Sequence, residues 1–145
     1  MRASRVEADE RLQRLIDAEE IRNLARRYAH CVWQSDSEGA ASLFAEEGVM
    51  DTGDRPALEG REAIRETYSQ TFAESDFKPF IHNHVLELHG DVATGTCYLD
   101  LKAYVDGCLW VGWGYYDDDY VRDGGVWYFK RRRLNMVHYG ESASG

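Results

Sequence analysis

Residues Leu109–Tyr139 constrain this chain more than any other stretch. They read LWVGWGYYDDDYVRDGGVWYFKRRRLNMVHY, two long ring-rich runs joined at Asp123-Gly124-Gly125. Asp-Gly and Gly-Gly between such runs predict a hairpin, because tight turns between antiparallel strands need residues with positive φ. Alternation puts Trp110, Gly112, Gly114, Tyr116 and Asp118 on one face and Val111, Trp113, Tyr115, Asp117 and Asp119 on the other. Gly112 and Gly114 leave mid-strand positions without side chains, which predicts a sharply curved sheet or a ligand close to backbone. Two strands of this length need a covering layer, and the first half of the chain must supply it.

That half is helical in pattern. Residues 1–8 read as a polar leader, and from Ala8 to Gln34 apolar residues recur at three- and four-residue steps: Leu12, Leu15, Ile16, Ile21, Leu24, Tyr28 and Val32. Asp36 or Ser37 caps a short helix over Gly39–Phe44. Val49–Asp51 is a single short strand, followed by a loop, and Arg61–Phe72 is a third helix with Ala63, Ile64, Thr67 and Tyr68 inward. After a polar link, Phe80–Leu88, Val92–Val105, Leu109–Val121 and Val126–Tyr139 read as four strands joined by turn residues, and residues 140–145 as a frayed tail. Three helices followed by an antiparallel meander predict one α+β domain over residues 1–145, with the helices on one face of the sheet. A curved sheet closing over a long helix encloses a cavity, the natural place for a small molecule.

Charge narrows the partners. A net charge of −9 on 145 residues argues against nucleic acid and anionic membranes. Cys31, Cys97 and Cys108 are scattered and odd in number, as expected of free thiols in a reducing compartment. The N-terminal stretch has no apolar core, so a cytoplasmic, soluble protein is expected. No phosphate-cradling glycine loop, nucleophile elbow or dinucleotide fingerprint occurs, and no cofactor is expected.

Several phrases resemble the nuclear-transport-factor-2-like superfamily, in particular its SnoaL-like branch. They are RRYAHCVWQSD, ASLFAEEGVMD followed by EGREAIRETY, NHVLELHGDVATGTCYL, GYYDDDYVRDGGVW and WYFKRR. The resemblance implies a cone-shaped antiparallel sheet on three N-terminal helices, a deep pocket inside the cone, dimerisation through the sheet and no cofactor. Relatives include ketosteroid isomerase, scytalone dehydratase, bile-acid dehydratase, polyketide cyclases and proteins without catalytic role. By this resemblance Tyr28 stands where ketosteroid isomerase has its oxyanion-binding tyrosine, Asp51 near its general base, and Asp118 at its protonated oxyanion donor. Asp36 matches an aspartate of scytalone dehydratase. Pro79 stands where the dehydratases carry a histidine, and Cys97 where scytalone dehydratase has a second one.

The candidate site follows. A carboxylate at the mouth of an apolar pocket has a raised pKa, which suits Asp51 as a base near neutrality. His82 is the alternative base, since imidazole titrates near neutrality. His82 and His84 share a strand face, but two imidazoles without a third ligand make no metal site. Register with the family turns Asn83 inward to orient a substrate oxygen. Tyr28 and Asp118 polarise that oxygen, while Trp110, Tyr116, Cys97 and Asp36 contribute to the substrate pocket. Arg132 either anchors an acidic substrate or pairs with Asp118. The expected activity is cofactor-independent acid–base chemistry on a small apolar cyclic or aromatic molecule, as an isomerase, dehydratase, other lyase or cyclase. A non-catalytic ligand-binding or dimerisation module is the alternative. Trp113, Tyr115, Tyr98 and Tyr104 point away from the helices, so a homodimer packed sheet to sheet is expected.

Overall fold

A computed structural model describes residues 2–143; the expected frayed tail lies partly outside the described residues, at 144–145. The elements are α1 (Arg2–Trp33), α2 (Ser37–Ser42), β1 (Phe44–Asp51), β2 (Leu58–Glu59), α3 (Arg61–Glu74), β3 (Ser75–His89), β4 (Val92–Val105), β5 (Cys108–Asp123) and β6 (Val126–Glu141). They form the expected α+β fold, helices against one face of a curved six-stranded sheet ordered β2-β1-β6-β5-β4-β3. Strands β3 to β6 are the antiparallel meander, and β1 adds to β6 in parallel.

The hairpin turn is the one the sequence predicts. Asp123 pairs with Val126, so Gly124 and Gly125 form a two-residue loop with φ of 58° and 80°. The mid-strand glycines admit backbone: a Cβ at Gly114 would lie 2.1 Å from the Asn135 carbonyl oxygen, and one at Gly112 2.3 Å from that of His138. Here β6 carries an extra residue, Trp113 pairing with His138 and Gly114 with Met136, and the sheet bends over the helices.

Helical boundaries extend beyond the pattern. Residues 2–8 belong to α1 rather than to a leader, and α1 outruns the sheet: of the apolar residues in the helical period, Leu12, Leu15 and Ile16 are exposed and Ile21, Leu24, Tyr28 and Val32 enter the core. Asp17 is buried and ties α1 to the hairpin, its Oδ1 accepting from Arg122 Nη1 (2.8 Å) and Trp127 Nε1 (3.2 Å). Asp36 caps α2, accepting from the Gly39 N–H. The core runs between α1, α3 and the concave face, through Tyr28, Phe44, Ile64, Tyr68, Leu99, Tyr116 and Phe129. No described helix is long and apolar enough to cross a membrane.

Two bulges decide which polar groups enter that core. In β3, Ile81 pairs with Leu99 but His84 with Cys97, so one extra residue reverses the alternation. In β6, Phe129 pairs with Tyr120 but Arg131 with Asp119; the extra Lys130 turns Arg132 inward and leaves Arg131 and Arg133 outside.

Candidate functional site

A cavity of about 550 Å³ opens between α1, α3 and the concave face. Its apolar wall comes from Val32, Met50, Phe72, Phe77, Leu101 and Leu134 among others, and Tyr28, Tyr68 and Tyr116 are its tyrosines at the deep end. Tyr28 projects from the buried stripe of α1 and Tyr68 from that of α3. Their hydroxyl oxygens lie 2.6 Å apart, a short hydrogen bond in which either can donate. Whichever donates, the other keeps a proton to offer a ligand. Burial holds both phenols above their ordinary pKa, so both are protonated donors near neutrality. At the rim, the loop after β1 contributes Thr52, Gly53, Asp54 and Arg55, and β6 contributes Asn135, Met136 and Tyr139.

Behind the Tyr28 and Tyr116 rings lies a buried polar chain. Arg132 Nε donates to Asp118 Oδ1 (3.0 Å), and the Tyr120 hydroxyl donates to Asp118 Oδ2 (2.9 Å). His84 Nε2 is 2.8 Å from the same Tyr120 oxygen. Tyr120 spends its one proton on Asp118, so His84 is the donor and carries its hydrogen on Nε2. Burial, helped by the charges of Arg132, Arg22 and Arg26, depresses the His84 pKa to about 4 and keeps the ring neutral at pH 7. The Arg132 guanidinium stacks 3.5 Å from the Tyr116 ring centroid, with Phe129 at 4.4 Å and Tyr28 at 4.6 Å. These ring faces stand where hydrogen-bond acceptors would otherwise be, and no acceptor reaches Nη1 or Nη2. Burial pushes the Asp118 carboxyl up, while Arg132 and Tyr120 pull it back toward the ionised form.

Of the residues expected in the site, Tyr28 and Tyr116 line the cavity; Pro79, at the position where the dehydratases carry a histidine, lines it as well. Asp118, Arg132 and Cys97 are buried behind its wall. Asp118 therefore does not present a proton to the cavity: both its oxygens accept, and its partner is Arg132. Asp51 is turned away. Met50 takes the inward position of β1, and alternation sends Asp51 to the outer face, 3.4 Å from Arg131 Nη2 and 3.4 Å from Arg133 Nε. His82 also faces outward, 2.7 Å from Asp100, and Asn83 is exposed at the β3 bulge instead of pointing inward. The same bulge separates the two histidines and turns His84 inward, half-buried. Asp36 serves α2 as a cap, and Trp110 packs on Tyr139 behind the rim without lining the cavity. Among the described residues, no group of three or more His, Cys, Asp or Glu side chains is placed to hold a metal.

Tyr68 lies on the expected inward stripe of α3, and Asp54 and Arg55 in the expected loop after β1, positions to which the sequence attaches no role. Nothing in the sequence joins His84 to Tyr120. Helical spacing could have pointed to Tyr68, which falls on the same inward stripe as Ile64, whereas the bulge that turns His84 inward has no local signature.

The fold is shared with known structures. The chain superposes on a protein of unknown function from Mycobacterium tuberculosis with a TM-score of 0.79 at 27% identity, covering 87% of this chain and 75% of that one. It superposes on a nuclear-transport-factor-2-like protein with a cystatin-like fold from Novosphingobium aromaticivorans with a TM-score of 0.78 at 26% identity, covering 94% and 91%. A hexachlorocyclohexane dehydrochlorinase from Novosphingobium barchaimii gives a TM-score of 0.85 at 19% identity over 92% and 95% of the two chains, a likeness of fold. Among curated proteins none matches. The model of the SnoaL-like domain matches residues 13–133, nearly the whole folded unit, and the chain belongs to the SnoaL-like domain family.

Proposed function

We propose that this protein is a cofactor-independent acid–base enzyme that acts on a small, largely apolar cyclic or aromatic molecule inside the cavity. The observation that carries the reading is the Tyr28–Tyr68 hydroxyl pair at 2.6 Å, set in an otherwise apolar wall. Proton abstraction next to a carbonyl, or loss of a leaving group, develops charge on an oxygen. Two linked phenols held protonated by burial are suited to receive that charge, and preorganised donors of this kind contribute most when water is excluded. Asp54, at the rim, is the carboxylate of the cavity lining, and on this reading it accepts the proton. The expected chemistry is that of an isomerase, lyase or cyclase.

Exchange of the α-protons of 2-tetralone in D₂O, followed by proton NMR, tests this without knowledge of the true substrate. The native protein should accelerate exchange, Tyr28→Phe should lose about 10²–10³ of the acceleration, and Asp54→Asn should lose most of it. A rate equal to buffer alone for the native protein counts against catalysis. A second reading, a binding module without chemistry, draws on one observation: the deep wall carries hydroxyls but no carboxylate or imidazole. It predicts that 2-tetralone binds and does not exchange.

A further inference from the structure

We propose that Arg55 makes the cavity selective for acids: its ligand carries a carboxylate at one end of an apolar ring system, held at the mouth by the Arg55 guanidinium. The inference rests on the cavity being a binding site for small ring molecules, as proposed above, and adds the class of ligand.

The arginines around the cavity are otherwise engaged. Arg132 is held by Asp118, Arg131 and Arg133 by Asp51, Arg61 by the Phe44 carbonyl, and Arg122 by Asp17 and Asp91. Arg55 lines the cavity and is exposed, and among the described residues its side chain has neither an ion pair nor a hydrogen bond. It is the one cation of the lining.

Arg55 follows Asp54 in the exposed loop after β1, so the cation stands where the cavity meets solvent. The one carboxylate of the lining, Asp54, accepts from the Thr52 hydroxyl at 2.6 Å. An anionic group at the mouth therefore meets a guanidinium fork without an ion pair of its own, suited to bidentate capture of a carboxylate. The ring then fills the apolar interior, and an oxygen at its far end reaches the Tyr28–Tyr68 pair.

A matched pair of probes tests this: 6-hydroxy-2-naphthoate and 2-naphthol, titrated against the native protein by calorimetry. The expected result is a preference of about five- to tenfold for the naphthoate, modest because the pair is partly exposed. The preference should shrink as salt is raised. Arg55→Gln should bring the two affinities together, and Arg55→Glu should reverse their order. Both substitutions fall in an exposed loop, so folding is not at stake. Equal affinities in the native protein, or a preference that survives Arg55→Gln, would overturn the role of Arg55 while leaving the cavity reading intact. If neither probe binds at millimolar concentration, both fall.

Discussion

Asp118 and Arg132 are directly opposed across β5 and β6, Nε to Oδ1 at 3.0 Å, with both side chains fully removed from water. Removing either partner strands the other as a buried charge, and Arg132→Met or Asp118→Leu alone should destabilise the fold by about 3–5 kcal/mol. The double replacement should cost much less than the sum, because it removes both charges at once. Urea denaturation of the four proteins measures this coupling; additive losses would mean that the pair does not act as a unit.

Stability should fall with acid in a window set by His84. Its folded pKa is depressed to about 4 from an ordinary value of 6.5. The unfolded chain therefore takes up the proton first, and the contribution is complete above pH 6.5 and lost as pH falls toward 4. Allowing for solvent screening of a half-buried ring, the loss is on the order of 1–2 kcal/mol. His84→Gln keeps a donor for Tyr120 and should flatten the stability profile between those limits. An unchanged slope in that variant would assign the acid sensitivity elsewhere.

The bend of the hairpin depends on Gly114. A methyl group there would sit 2.1 Å from the Asn135 carbonyl oxygen and 2.8 Å from the Met136 Cα, both main-chain atoms that cannot rotate aside. Gly114→Ala should cost about 1–3 kcal/mol or more, seen as a lowered denaturation midpoint. A variant of native stability would show that β6 can shift freely at its bulge.

The outer sheet face carries Trp113 (51% exposed), Tyr104 (52%) and Tyr98 (41%), on the side opposite the helices. Packing of two copies through this face is expected, since soluble monomers seldom leave such a patch in water. Sedimentation should give about twice 16.7 kDa for the native protein and half of that for Trp113→Glu. A native monomer would leave the patch to another partner.

Much of this arrangement was legible in the chain. The Gly124-Gly125 turn, the inward row Gly112, Gly114, Tyr116 and Asp118, and the buried stripe of α1 from Ile21 to Val32 all follow from local periodicity and from residues that tolerate positive φ. Tyr28 lies on that stripe, so its burial follows from spacing alone. Tertiary structure decided the rest. Whether Leu12, Leu15 and Ile16 are buried depends on how far the sheet reaches along α1, which no helical period encodes. The inward turn of His84 and Arg132, and the outward turn of His82 and Asp51, depend on bulges and on where β1 begins. A single extra residue inverts every side chain after it, while the sequence on either side still reads as ordinary strand. The Tyr28–Tyr68 contact joins residues 40 positions apart on two helices and exists only once both have packed on the same curved sheet.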